Sequence, residues 1–579
     1  MQDSSLIQKT KGYIYQWFQN ESVFTNTLAT VVGILTGLAI VIYEHLIKDF
    51  TNFFFGTVSQ YPSYFVILVP ATGGLLVGLI SYMFVNSRRS DVEEIIESSA
   101  LHDGKIRHKH AFLEVLSSLI SISSGGSVGK ESPGVLAGSG IGSYVAHMLK
   151  TNREHSKILV GCGASGGIAA AFNAPLAGVV FVVEVIFGEL KSNTFIPIVV
   201  AAVFSNLVSN MIFGVMPIEV SYFKLVSPVS ELFLYLILGV LAGVVSIILI
   251  RSMYLFYDGF HKLPFHPISK PAIGGLGVGL IGLFYPQIFG VGYNVIMDVL
   301  ANEFTMQLML ILLVLKIFAF SLTLGSGGSG GSIVPALFVG AMLGGVYGNI
   351  VNGMFPGMTA EAGAYAMVGM GSVFAGTLHA PLTGMLILFE LTRDYQLILP
   401  LMFACVISNA IPNALRLESL YTEGLRRRGL KIWGGQQVDV MKSMLVEDAM
   451  IKDVQSVLEN NTVGTLIHMM QSSKHGGFPV LDLNRKLRGI VTLQDLREKV
   501  KYGEVNQRIS EIMYKNVAVA YPDETLDTVL NRLAKLDIGR LPVVSRDDET
   551  ELLGLITRSD IINSYNKKII TRKQESEEG

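Results

Sequence analysis

Ser124-Gly-Gly-Ser-Val-Gly-Lys-Glu-Ser-Pro-Gly134 places one carboxylate, Glu131, among glycines and hydroxyls between two long apolar segments. Glycine and serine let backbone N–H groups crowd together. Where such a turn opens a helix, the unpaired donors and the helix dipole favour negative charge. The stretch therefore reads as an anion site that needs no metal, lining a path through a membrane. A carboxylate in the same spot competes with the anion, and by taking a proton it can both gate and couple. The alternative is a buried turn whose glutamate caps a helix. Gly129-Lys130 also looks like the end of a phosphate-binding P-loop, but that pattern needs glycine at 124 and Ser or Thr after the lysine. Ser124 and Glu131 stand there instead.

Outward from this stretch the composition is that of a polytopic α-helical membrane protein. The chain has 579 residues, 50% hydrophobic and 16% charged, with a mean hydropathy of +0.48, too apolar for a soluble enzyme of this length. Sixty glycines point to close helix packing and broken helices, because small residues let helices touch in lipid. A net charge of −2 offers nothing to nucleic acid. Cys162 and Cys405 both sit in apolar runs and read as small core residues rather than a disulfide or metal pair. Met1 to Asn20 lacks the apolar centre of a cleavable signal, so the first hydrophobic span, about Asn26 to Leu46, is expected to be a membrane helix.

A second span covers Tyr64 to Val85. The polar stretch from Asn86 to Lys109, with Arg88, Arg89, Asp91, Glu93 and Glu94, suggests a cytoplasmic or interfacial helix. From Ala111 to about Pro412 several apolar runs fall short of the roughly 20 residues that cross a bilayer. Glycine-broken runs of this kind suggest discontinuous helices lining a pathway. Lys157-Ile-Leu-Val-Gly-Cys-Gly-Ala-Ser-Gly166, with Glu184 about twenty residues on, has the spacing of a dinucleotide fingerprint. It lacks the soluble βαβ context that such a fingerprint needs.

An internal repeat accounts for these stretches better. Ala171-Phe-Asn-Ala-Pro-Leu-Ala-Gly178, followed by an apolar run to Glu184, recurs as Gly376-Thr-Leu-His-Ala-Pro-Leu-Thr-Gly384 with a run to Glu390. The stretch before Glu131 recurs as Gly325-Ser-Gly-Gly-Ser-Gly-Gly-Ser-Ile-Val-Pro335. Two homologous halves of one membrane domain are expected, with the ion site where broken helices from both meet. His379, beside the second Ala-Pro, reads as a packed residue and not a ligand. Beyond Tyr421, Arg426-Arg-Arg428 and Lys431 form a basic flank that puts this end in the cytoplasm by the positive-inside rule. From about Val446 a soluble α/β module repeats itself. Phe478-Pro-Val-Leu with Leu487-Arg-Gly-Ile-Val-Thr-Leu-Gln-Asp495 matches Leu541-Pro-Val-Val with Leu552-Leu-Gly-Leu-Ile-Thr-Arg-Ser-Asp560. The charged tail has a disordered composition.

Taken together, these residues resemble the CLC chloride channels and proton-coupled chloride transporters that carry a C-terminal pair of CBS domains. Gly129-Lys-Glu-Ser-Pro133 looks like the family's G-[KR]-E-G-P signature with Ser132 in place of glycine. Gly330-Gly-Ser-Ile-Val-Pro335 resembles its G-G-x-F-x-P loop with Ile333 in place of phenylalanine. Leu420-Tyr421 resembles the late anion-contacting tyrosine, and Asn173-Ala-Pro-Leu-Ala-Gly178 completes the set. The resemblance implies a CLC-type inverted repeat of broken helices plus an α/β CBS pair. It divides the chain into an N-terminal segment 1–25, an anion-transport domain 26–422, a linker 423–445, CBS repeats 446–505 and 506–567, and a tail 568–579. It also implies a homodimer in a bacterial-type inner or plasma membrane, with a pore in each subunit and with the CBS pair and both termini cytoplasmic.

In this scheme Glu131 is the external gate. Gly129, Lys130, Ser332, Ile333 and Tyr421 surround chloride or a similar anion. The first anion loop is altered: Arg89-Ser-Asp-Val-Glu93 aligns Ser90 with the anion-contacting serine but lacks the flanking glycines and proline. The inward proton glutamate of coupled members is replaced by Val185, which cannot relay a proton. That favours a passive or weakly coupled pathway over a proton-coupled antiporter, unless water or Glu189 provides another route. No cofactor is required. An adenine nucleotide between the CBS repeats would meet Thr492, Asp495, Thr557 and Asp560, although Thr-x-x-Asp is also ordinary helix-start chemistry. A membrane-embedded nucleotide sensor that moves no ion is the rival from another class. An enzyme is not expected, for want of a nucleophile and base or a metal-ligand cluster.

Overall fold

The computed structural model describes residues 21–58, 63–84, 91–189, 192–214, 228–430, 432–433, 436–437, 444–473, 476–500, 505–536 and 538–565. The chain forms two compact units, Met1–Gln436 and Gln437–Gly579.

The first unit is helical. In chain order its helices are α1 (Glu21–Val58), α2 (Leu68–Phe84), α3 (Asp91–Leu101), α4 (His108–Ser123), α5 (Glu131–Met148), α6 (Arg153–Phe172), α7 (Pro175–Phe181), α8 (Ser192–Phe213) and α9 (Pro228–Lys262). There follow α10 (Lys270–Phe284), α11 (Tyr293–Leu300), α12 (Met306–Gly325), α13 (Ile333–Met354), α14 (Ala362–Leu378), α15 (Pro381–Thr392), α16 (Ile398–Ala414) and α17 (Leu420–Arg427). Among the described residues, 7 helices are long and apolar enough to cross a membrane, and α10, α14 and α15 are apolar but shorter. The first span runs over the whole of α1, longer at both ends than Asn26–Leu46. The stretch with a dinucleotide-fingerprint spacing lies wholly within α6, and Cys162 and Cys405 are buried and unpaired.

The repeat is visible in the packing. α5 lies on α6 and α13 lies on α14 at matching glycines. A Cβ on Gly163 would come 1.9 Å from the carbonyl of Gly138, and one on Gly369 would come 2.4 Å from that of Gly340. Backbones approach this closely only without side chains between them. The link after each pair also repeats. Asn173 (φ 54°) and His379 (φ 56°) end α6 and α14 in the left-handed region, and a proline then opens α7 and α15. The halves diverge about two turns later, where Val182–Phe187 forms a π-helical turn that contains Val185.

The acidic stretch forms a helix, α3, with its acids packed inward. Glu93, Glu94 and Glu97 are buried. Arg428 donates from Nη1 to Glu97 Oε2 at 2.8 Å and from Nη2 to Glu93 Oε2 at 3.1 Å, which offsets the cost of burying the two charges. Gly424 makes room, since a Cβ there would run into the Glu93 carboxylate.

In the second unit, Val457–Leu458 runs parallel to Gly477–Leu481, which pairs antiparallel with Leu487–Thr492. The later repeat pairs Arg540–Val544 with Leu552–Thr557, and Ala520 bridges Val543 in parallel as the counterpart of the first short strand. Phe478, Val480 and Val491 in one repeat and Leu541, Val543 and Ile556 in the other pack into the core. Gly477–Leu481 is buried along its whole length, while Leu487–Thr492 alternates as a half-buried strand does.

Candidate functional site

The two glycine-rich stretches meet. Gly129 N–H donates to the Gly331 carbonyl at 2.8 Å, and Gly331 N–H donates back to Gly129 at 2.7 Å. This reciprocal antiparallel bridge joins equivalent points of the two halves, so the loops are related by an approximate twofold. Two residues on from each glycine a helix begins, α5 at Glu131 and α13 at Ile333. In the first turn of each, Pro133 or Pro335 has no N–H, and the amides of residues 131, 132, 333 and 334 have no intrahelical acceptor. Two positive helix ends therefore open onto the bridge, a natural seat for an anion.

Glu131 stands at the mouth of α5 and is fully buried. Its Oε1 accepts from the Tyr293 hydroxyl at 2.8 Å. Its Oε2 has no hydrogen-bond partner among the described residues and faces Gly129, where a Cβ would come within 2.7 Å. Lys130 turns away from the bridge, with Nζ 2.6 Å from Glu44 Oε1 and 5.5 Å from the centre of the Tyr293 ring. Tyr293 begins α11 directly after Gly292, whose φ of 87° sets the turn. That turn is braced from behind by buried Lys316, which donates to the carbonyls of Ile288 at 3.2 Å and Gly290 at 3.1 Å. Its Nζ also sits 4.8 Å over the Phe338 ring.

At the second loop, Ser332 Oγ donates to the Tyr421 hydroxyl at 3.0 Å, and Tyr421 is buried. Ser419 and Thr422 close a capping box that starts α17 at Leu420. Tyr254 donates to the Leu420 carbonyl at 2.7 Å, fixing the turn that aims Tyr421 inward. Thus Gly129, Glu131, Ser332, Ile333 and Tyr421, spread over almost 300 residues of sequence, converge on one place. Lys130 flanks it with its charge directed to Glu44. Ser90 lies outside the described residues, and Val185 sits in the π-helical turn after α7. Sequence reasoning missed Tyr293, Glu44 and Lys316; Lys316, a lone lysine in an otherwise uncharged helix, was the one detectable signal among them.

The match to known proteins follows these loops. The family model described as voltage gated chloride channel matches residues 73–413, and CBS domain models match 446–502 and 509–567. The chain belongs to the voltage-gated chloride channel, or CLC, family. A ClcB-like protein of Ralstonia nicotianae is 34% identical over 413 residues, covering 69% of this chain and 96% of that protein. The voltage-gated ClC-type chloride channel ClcB of Escherichia coli is 31% identical over 408 residues, covering 68% and 97%. A slow cyanobacterial Cl−/H+ antiporter superposes with a TM-score of 0.65 at 24% identity over 70% of this chain and 97% of that one. A eukaryotic CLC transporter superposes at 0.63 and 18% identity over 93% and 97%. The CLC fold, an inverted repeat of broken helices in a membrane followed by a CBS pair, is therefore the fold of this chain.

In the CBS pair the four residues singled out adopt one geometry twice. Asp495 Oδ2 accepts from the N–H of Thr492 at 2.9 Å and from its Oγ1 at 2.7 Å. Asp560 Oδ2 accepts from Thr557 at 3.0 and 2.6 Å. Each pair starts a helix after a strand, so capping uses one oxygen of each carboxylate. Asp495 spends the other on Lys499 at 3.1 Å.

Proposed function

We infer that the protein carries chloride or a similar small anion across the membrane, through a pathway in each subunit of a homodimer, with Glu131 as the gate. The observation that carries this reading is the reciprocal Gly129–Gly331 bridge with a helix opening on each side of it. An anion at the bridge would meet the amides of Glu131, Ser132, Ile333 and Val334 and the hydroxyls of Ser332 and Tyr421. The Glu131 carboxylate occupies that negative-seeking position itself. Displacing or protonating it vacates the seat, which is what a gate requires. The two relatives described by name as chloride channel or ClcB-like proteins support chloride as the anion. Arg426–Arg428, together with the positive-inside rule, supports a cytoplasmic position for the C-terminal unit. The CBS pair is assigned a regulatory role, with an adenine nucleotide as its ligand; titration of the full chain with ATP, beside Asp560→Ala, tests that part.

The test of transport is chloride efflux from proteoliposomes with wild type and Glu131→Gln side by side. Efflux from wild type that changes in rate in the variant is the expected result. No efflux of chloride, nitrate or fluoride from correctly folded protein would sink the reading.

A further inference from the structure

Val185 leaves the position of the usual inner proton glutamate without a titratable group, yet another acid stands next to the anion loops. Glu114, on α4, accepts from Ser329 Oγ at 2.8 Å through Oε1, and the same hydroxyl lies 3.3 Å from the Glu114 carbonyl. Ser329 precedes Gly331, the residue bridged to Gly129, by two positions. Gly129 in turn precedes Glu131 by two, so each of these chain segments spans at most about 7 Å.

Behind Glu114 the acid-base groups continue. His110 lies one helical turn earlier on the same helix, the spacing at which side chains are neighbours. Its Nδ1 is 2.6 Å from Glu94 Oε2 of α3. Glu94, His110 and Ser329 are 4%, 9% and 5% exposed. The next acids on α3, Glu93 and Glu97, are held by Arg428, in the segment through which the chain leaves the membrane unit. The charged groups that act on Glu114 are thus His110 from its own helix and Glu94 from α3, while the loop facing it supplies only the Ser329 hydroxyl.

We propose that Glu94, His110 and Glu114 form a proton relay that reaches the anion loops at Ser329 and takes over the task of the missing inner glutamate. The proposal rests on the anion-transport reading and adds proton coupling to it, against the passive behaviour that Val185 suggests. The steps balance without any redox partner. A proton on the Glu94 carboxyl passes to His110 Nδ1, and the imidazolium releases its Nε2 proton through a bridging water to the Glu114 carboxylate. Glu114 then hands a proton to water in the anion pathway. Glu131, its carboxylate vacated from the seat by chloride, takes that proton and releases it on the far side. Each step breaks one O–H or N–H bond and forms another. The cycle closes when water on the entry side reprotonates Glu94, and His110, left with its proton on Nδ1, returns to the Nε2–H tautomer by exchanging protons with water.

The experiment records chloride efflux and external pH together, from proteoliposomes holding wild type, Glu114→Gln and Glu114→Asp. The expected result is proton movement against the chloride gradient in wild type. In Glu114→Gln chloride flux persists while protons moved per chloride fall about tenfold or more, as for loss of an acid-base group; Glu114→Asp restores part of the ratio. Should Glu114→Gln fail to fold, His110→Gln is read in the same assay and must show the same loss. Chloride flux in wild type with no proton movement overturns the relay, as does an unchanged ratio in the folded variants. Absence of chloride flux in wild type instead overturns the transport reading beneath it.

Discussion

Glu184 and Glu390 cap each other's helices across the two halves. Glu184 accepts from the N–H groups of Leu382 at 3.0 Å and Thr383 at 2.8 Å, and from Thr383 Oγ1 at 2.7 Å, at the start of α15. Glu390 accepts from Leu176 at 3.0 Å and Ala177 at 2.8 Å at the start of α7. The exchange exists because both α7 and α15 begin with a proline after a left-handed residue and leave their first amides open. A carboxylate there satisfies two donors and complements the dipole.

Removing either cap should therefore loosen the joint between the halves more than it alters the anion seat. Glu184→Ala and Glu390→Ala should each cost about 0.5–2 kcal/mol, and each Gln variant less, because its amide oxygen still accepts. The check is the thermal unfolding midpoint of purified protein in detergent. A midpoint unchanged in both Ala variants would mean that the caps add nothing to stability.

The Gly129–Gly331 bridge makes a sharper demand. A Cβ at Gly331 would lie 2.7 Å from Ser132 Oγ and 3.0 Å from the Ser132 backbone nitrogen, and one at Gly129 2.7 Å from Glu131 Oε2. Gly331→Ala must push the first turn of α5 off the bridge, so chloride efflux should fall by about tenfold or more, each 1.4 kcal/mol of distortion being a factor of ten. Proteoliposome efflux with matched protein incorporation checks this. Wild-type efflux in Gly331→Ala would show that the bridge is not part of the pathway.

This bridge was legible in the sequence because each half spells it out in glycine and serine, and the repeat told which stretches belong together. The reciprocal caps were half legible: Glu184 and Glu390 were seen as the ends of matching runs, but nothing in a linear pattern says that each run ends on the start of the other. Tyr293 and Glu44 were not legible, because their partners lie far away in sequence and a single tyrosine or glutamate on an apolar helix carries no period that marks it as part of a site. Lys316 was visible only as a lone charge in an apolar helix, with nothing in the sequence to say what it braces. The burial of the α3 acids was not legible for a related reason, because their partners Arg428 and His110 come from other segments of the chain.

Tyr293 gives a test of the gate that leaves Glu131 in place. Its hydroxyl holds Glu131 Oε1 in the seat, and a hydrogen bond to a charged acceptor contributes about 1.5–3 kcal/mol. Tyr293→Phe removes that donor with little change in shape, so the carboxylate should leave the seat more readily and chloride efflux should rise. The rise should disappear when Tyr293→Phe is combined with Glu131→Gln, because the residue it acts through is then already uncharged. Additive effects of the two substitutions would place Tyr293 outside the gate.

In the CBS pair, Asp548 couples stability to pH. The Thr550 hydroxyl and N–H donate to its carboxylate, and Lys486 Nζ of the other repeat lies 3.2 Å away. These donors, Thr550 first, bring its pKa down to about 2. A carboxyl depressed in the folded state stabilises above its unfolded pKa and loses that contribution as pH falls through the folded one. The unfolding midpoint of the C-terminal transition, followed by circular dichroism on the full chain, should thus be flat above about pH 5 and decline from about pH 4 toward pH 2. Asp548→Asn should lower the midpoint at neutral pH and flatten the acid decline without abolishing it. Asp482, held down by donors led by the Lys486 N–H, and Asp523, held down by Arg546, titrate in the same direction. An acid decline as steep in Asp548→Asn as in wild type would assign the effect to those two residues alone.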